Sequence, residues 1–184
     1  MSRLTVYPDS GPLVAQLDTA DGREIASALR DIGVRFERWH AQRQLSRTDD
    51  DQSVLALYQA DIERLKREGA YQSVDVVRCL PDNPNRDELR AKFLSEHTHD
   101  EDEVRFFVEG AAAFYLRVAG RIYMTRCERN DLIGVPAGTR HWFDMGLAPR
   151  FTAIRLFTTP KGWVASFTGD TIAARFPAFD HQAA

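Results

Sequence analysis

Three histidines and a carboxylate stand at spacings that suit one metal site: His97-Thr98-His99-Asp100-Glu101-Asp102-Glu103, then His141 behind a Pro136-Ala137-Gly138 turn. Side chains alternate along an extended strand, so His97 and His99 share a face on which a single cation can take both. Imidazole and carboxylate are ligands that iron, nickel, manganese, cobalt and zinc accept. Asp100, Glu101, Asp102 and Glu103 compete for the carboxylate position. Glu103 is favoured because it begins the run Glu103-Val-Arg-Phe-Phe-Val108, a strand that can hold it rigidly, while the other three read as a solvated hairpin. His40 and His181 have no such companions; His40 reads as a surface or packing residue and His181 as part of a loose tail.

Alternation extends the site. Glu103, Arg105 and Phe107 share one face of their strand, and Val104, Phe106 and Val108 the other. Arg105 therefore points into the same cavity as Glu103. Its guanidinium can meet an anionic ligand through two parallel hydrogen bonds, or form an ion pair with an acid at the mouth. His141 shares a face with Phe143, which puts an aromatic wall beside the metal. Three neutral imidazoles and one carboxylate leave a divalent ion with a net charge of about +1 and, if it is six-coordinate, about two open positions. A structural zinc site would be four-coordinate and closed, so this donor set points to chemistry on a chelating anionic oxygen ligand.

The rest of the chain bounds the problem. Its 184 residues suit one domain with a substantial core. With 43% hydrophobic and 28% charged residues it is globular in composition. A net charge of -3 without a basic stripe argues against a nucleic-acid partner. Cys79 and Cys127 sit outside any Cys-x-x-Cys pattern and read as buried thiols in strands. Met1–Gly22 lacks a signal-peptide pattern, and apolar stretches such as Ala111–Leu116 are too short to span a bilayer. The expected address is the cytoplasm, with no membrane partner, and the absence of a coiled coil favours a monomer.

Residues 1–95 are mixed in pattern. Strands are expected at Leu4–Tyr7, Val34–Trp39 and Ser73–Leu80. Asp21-Gly-Arg-Glu24 opens a helix carrying Ile25, Leu29 and Ile32. Leu55, Tyr58, Ile62 and Leu65 mark a second helix that ends near Gly69, and a third opens at Asn85. Residues 96–160 change to short β runs: Glu103–Val108, Ala113–Val118, Arg121–Cys127, Asp131–Val135, His141–Met145 and Phe151–Thr158. Such strands, separated by turns, indicate a sandwich or barrel that carries the metal site, with the N-terminal part packed on it. Residues 161–184 are a C-terminal segment, with a last helix over Thr171–Phe176.

The pattern H-x-H, three residues, E, six residues, G is met by His97, His99, Glu103 and Gly110, and P-x-G-x-x-H by Pro136, Gly138 and His141. Together they resemble the two motifs of the cupin superfamily, which implies a mainly β fold, a cupin-type β-barrel or jelly roll. Two positions depart from that pattern: Asn130 stands where a glycine is expected and Met145 where an asparagine is expected. Within cupins, the stretches Leu89–Gly110, Gly134–Asp144 and Arg155–Trp163 resemble the acireductone dioxygenase family of the methionine salvage pathway.

That resemblance implies one Fe(II) or Ni(II) per chain on His97, His99, Glu103 and His141. It implies the substrate 1,2-dihydroxy-3-keto-5-(methylthio)pentene, chelated as an enediolate dianion and cleaved by O2. Arg105 would neutralise and orient that substrate, and Phe93, Phe143 and Trp163 would line the pocket for its methylthio tail. The iron form would give formate and 4-methylthio-2-oxobutanoate, and the nickel form formate, carbon monoxide and 3-methylthiopropanoate. Two rivals share the metal site: another cupin enzyme, such as a sugar-phosphate isomerase drawing on Arg140 and Arg155 as further cations, and a ligand-binding cupin without catalysis.

Overall fold

The computed structural model describes residues 1–39, 45–46, 49–159 and 164–179. Its strands are β1 (Arg3–Pro8), β2 (Leu17–Thr19), β3 (Arg35–Arg38), β4 (Ser73–Cys79), β5 (His97–Thr98) and β6 (Glu103–Val118). They continue with β7 (Arg121–Glu128), β8 (Asp131–Val135), β9 (Arg140–Asp144), β10 (Arg150–Phe157) and β11 (Ser166–Phe167). All join one hydrogen-bonded network, and β6 is its spine. The first half of β6 lies between β10 and β8, with Arg105 opposite Arg155 and Ile133. Those neighbours in turn hold β4 and β3. The second half lies between β7 and β9, with Leu116 opposite Tyr123 and His141. Beyond them run β1 and β2 on one side and β5 and β11 on the other. The architecture is mainly β, as the strand pattern implied, and agrees with the cupin-type fold that the motif resemblance implied.

One long strand replaces the two expected at Glu103–Val108 and Ala113–Val118. The chain bends instead of breaking. Against β10, Thr152 faces Glu109 but Ala153 faces Phe107, so β6 carries an extra residue, Val108, as a bulge. Two residues on, Gly110 takes φ +70°, and a Cβ there would lie 1.7 Å from the Arg150 carbonyl oxygen. The glycine of the first motif is thus required by a close backbone approach. Asn130 takes φ 82° with its N–H on the Phe107 carbonyl at 2.8 Å. Asparagine tolerates that left-handed conformation, so its replacement of glycine leaves the turn intact. Met145 is buried and fills the inner cluster instead of bonding a turn.

Three apolar clusters follow from this arrangement. The inner one collects Leu4, Ile25, Leu29, Phe107, Phe114, Ile133, Phe143 and Phe151, from strands of both halves and the first helix. A second places Val54, Tyr58, Ile62 and Leu65 against Val104, Phe106, Leu132 and Ile154, on the opposite face of the same β6 segment. The helical N-terminal part therefore packs on the sheet. The third covers Tyr115 and Trp142, stacked at 5.0 Å, with Ile172 and Phe176 of the C-terminal segment. Full burial of each such side chain is worth about 1.5–3 kcal/mol.

Asp21 caps α1 (Gly22–Arg30) by accepting from the Arg23 and Glu24 N–H groups at 2.8 and 3.0 Å. The single helix expected through Leu55–Leu65 divides into α2 (Asp51–Leu57) and α3 (Gln59–Glu68). Between them Tyr58 leaves helical dihedrals, its N–H bonds the Leu55 carbonyl in a tight turn, and its ring packs edge-on against Phe106 at 5.1 Å. α4 (Arg86–Phe93) starts after Asn85 as expected, but Asn85 makes no side-chain cap; Asn83 Oδ1 accepts from its N–H at 2.9 Å instead. The last helix is a 3-10 turn, Ile172–Arg175. β5 lies where the His97-x-His99 alternation expects a strand, whereas β2 and β11 carry no signal, because two or three residues show no period. Cys79 and Cys127 are buried free thiols. No helix among the described residues is long and apolar enough to cross a membrane. His40 and His181 lie outside the described residues.

Gly110→Ala meets both the left-handed φ and the Arg150 carbonyl, so it should destabilise the fold by about 3 kcal/mol or more. For a chain of this length that is a drop in Tm of roughly 6–12 °C. Thermal unfolding checks it, and an unchanged Tm would contradict the requirement for glycine.

Candidate metal centre

Antiparallel pairing brings the two motif segments together: His97 of β5 faces His141 of β9 directly. The loops behind them are tied as well. The Gly138 N–H donates to the His99 carbonyl at 2.8 Å, and the Ala137 N–H to Asp102 Oδ1 at 2.9 Å. The His97, His99 and His141 rings then lie 4.5–5.1 Å apart, and their ligand nitrogens all fall within 4.8 Å of one another. Glu103, at the start of β6, presents Oε2 at 3.1 Å from His141 Nε2 and 3.4 Å from His99 Nε2. All four side chains are buried.

The far side of each ring settles its tautomer. Nδ1 of His97, His99 and His141 lies 2.7, 3.0 and 2.8 Å from the carbonyls of Ser95, Val164 and Thr139. A carbonyl only accepts, so each Nδ1 carries the hydrogen, and a neutral ring keeps its lone pair on Nε2, facing the cluster. Burial, helped by the neighbouring His141, pushes His97 down to about 4, so it is neutral near pH 7. Burial also lowers His99, but the hydrogen bond and charge of Glu103 outweigh it and raise the group. Burial opposes the charge on Glu103, yet Arg105, and His141 and His99 when a proton in place of a metal occupies their Nε2, hold it well below the usual carboxylate range. Three nitrogen lone pairs and a carboxylate aimed at one point repel each other unless a cation lies among them. The donor set fits a single divalent metal.

Arg105 is buried too, with Nη2 2.7 Å from Glu103 Oε1 and its guanidinium over the Phe143 and Phe114 rings at 4.3 and 5.1 Å. Of the two readings of Arg105, the ion pair is present, and its acid is Glu103 itself. Arg105 nonetheless borders a cavity of about 180 Å³ that also touches His97, His99, Glu103 and His141. Phe93 and Phe143 meet edge-to-face at 6.1 Å on its wall. Arg155 borders it as well, whereas Arg140 is exposed and does not. Trp163 lies outside the described residues.

Several contributors had no signal in the sequence. Phe167 packs on His97 at 5.8 Å and Ala165 lines the cavity, both from the segment that supplies the Val164 carbonyl. Glu101 is no solvated turn acid. Its carboxylate accepts from Thr158 N, Thr158 Oγ1, Thr159 N and Thr159 Oγ1, tying the ligand loop to the end of β10.

Comparison with known proteins agrees with this site. A family model described as the ARD/ARD' family matches residues 3–165. The chain is 64% identical over 182 residues, 99% of each chain, to the acireductone dioxygenase of Parvibaculum lavamentivorans. To that of Serratia proteamaculans it is 56% identical, over 98% of this chain and all of the other. Its fold matches the structure of the acireductone dioxygenase from Bacillus anthracis with a cadmium ion in its active centre, with a TM-score of 0.79 and 27% identity. That match covers 91% of this chain and 98% of the other.

His97→Ala or His141→Ala should leave protein that retains no stoichiometric metal, as read by elemental analysis after gel filtration. Full metal content in either variant would contradict the assignment.

Proposed function

The chain belongs to the ARD/ARD' family, the acireductone dioxygenases, and from that premise we propose which residues bind the metal and substrate and what sets the products. The enzyme cleaves an acireductone, 1,2-dihydroxy-3-keto-5-(methylthio)pentene, with O2, using a single metal ion in its active site. His97, His99, Glu103 and His141 are the ligands in this reading. The observation that carries it is the set of three Nδ1–carbonyl bonds, which turn three Nε2 lone pairs onto one point beside a buried carboxylate.

A divalent ion held there would supply open coordination positions and Lewis acidity for the two oxygens of an enediolate. Arg105 orients that enediolate by hydrogen bonding from the side opposite its Glu103 contact, and its buried cation favours the deprotonated substrate. Phe93 and Phe143 shield the electron-rich chelate from water and receive the methylthio tail, a task in which Trp163 joins them. Iron and nickel both accept imidazole and carboxylate, so the ligand set is compatible with either. We assign formate and 4-methylthio-2-oxobutanoate to the Fe(II) form, which returns carbon to methionine. To the Ni(II) form we assign formate, carbon monoxide and 3-methylthiopropanoate. The proposed active form is a monomer.

Anaerobic reconstitution with Fe(II) and, separately, Ni(II), followed by oxygen uptake and product analysis, tests the assignment. Keto acid with iron and carbon monoxide with nickel are the expected products; no uptake at confirmed occupancy would refute it. Arg105→Ala should keep the metal and lose roughly 10²-fold in kcat/KM. Unchanged turnover would leave Arg105 with its ion pair to Glu103 alone.

A further inference from the structure

The cations around the metal cavity differ in how they are balanced. Arg105 is paired with Glu103 at 2.7 Å. Arg155 is paired with Asp75 through Nε and Nη2 at 2.8 and 2.6 Å. Arg90, on the same helix as Lys92, is held by Asp144 at 2.8 and 3.1 Å and faces away from this cavity. Lys92 also lines the cavity, in the last turn of α4 beside Phe93, and its side chain is exposed. Among the described residues no acid lies within ion-pair distance of it, and Glu88, one turn earlier, makes no pair with it.

Summed over the lining, each arginine is cancelled by its partner carboxylate, and Lys92 is the surplus charge. A divalent metal then meets an enediolate dianion with equal and opposite charge, and the Lys92 ammonium remains over at the entrance. A surplus cation at the mouth acts at a distance, on an anion still in solution or just arriving.

We propose that Lys92 is a capture residue, which draws the anionic enediolate into the cavity and holds it at the rim before and during chelation. The inference rests on the reading of the cavity as an enediolate site. A single charge acting on a dianion across about 8 Å of water at low ionic strength, where the Debye length is about 30 Å, is worth roughly three- to fivefold in affinity or capture rate. Lys92 is also, with Arg90, a cation of a helix C-terminus, and a role confined to that would not depend on the ligand's charge.

The test compares the nickel-loaded wild type with Lys92→Ala and Lys92→Arg, using oxalate dianion as a binding probe and acireductone as substrate over a series of salt concentrations. At low ionic strength Lys92→Ala is expected to bind oxalate three- to fivefold more weakly and to lose kcat/KM by the same factor. Both differences should close at high salt, Lys92→Arg should restore both, and metal content should be equal throughout. Equal oxalate affinity in wild type and Lys92→Ala at every salt concentration overturns the proposal. A loss that ignores salt, or that Lys92→Arg fails to restore, overturns it too, as does a nickel-loaded wild type that does not bind oxalate. If oxalate binding shows the Lys92-dependent salt response while acireductone is not consumed, capture of dianions stands and the dioxygenase reading of the site falls.

Discussion

Four electron-pair donors crowded at one buried point would drive the surrounding strands apart without something to hold them. Here the backbone does so. Each imidazole is fastened at Nδ1 to a carbonyl of its own neighbourhood: Ser95 and Thr139, two residues before His97 and His141, and Val164 for His99. The rings cannot turn away to relieve their mutual repulsion, so a cation is the remaining way to relieve it. Much of the fold serves those anchors. β5 and β9 meet at His97 and His141, the Gly138 N–H fixes the His99 carbonyl, and β11 pairs with β5 where the Val164 segment crosses.

Buried charge sets the second constraint. Glu103 and Arg105 are both nearly inaccessible; the carboxylate needs the guanidinium or a metal in this interior, and the guanidinium needs the carboxylate. Their pairing cancels both buried charges before anything binds. The metal's own charge is therefore available for an anionic ligand, and Arg105 can act through the direction of its hydrogen bonds more than through net charge. The rings of Phe143 and Phe114 against the guanidinium keep it planar to the wall and dry.

What could be read from the sequence follows from the range of each signal. Strand alternation is local, so Glu103 beside Arg105 and His141 beside Phe143 are legible from order alone. The capping Asp21 is equally local. The bulge in β6 is not, because it exists only relative to β10, and so two strands were expected where one bends. Glu101 and Asp102 look like solvated hairpin acids because their partners, Thr158, Thr159 and Ala137, lie far along the chain. Phe167 and Val164 come from a stretch without periodicity, and nothing in its composition marks it as a wall of the cavity. Gly110 was visible as a motif letter, but the reason for it, the Arg150 carbonyl, belongs to another strand.

The chemistry of this centre depends on where one metal sits. Crystals of the nickel-loaded protein, measured across the nickel absorption edge, give that position directly. A single anomalous peak within coordination distance of Nε2 of His97, His99 and His141 and of a Glu103 oxygen is the predicted result. A peak elsewhere, or one bound through Nδ1 with the Ser95, Thr139 or Val164 bond broken, would contradict it.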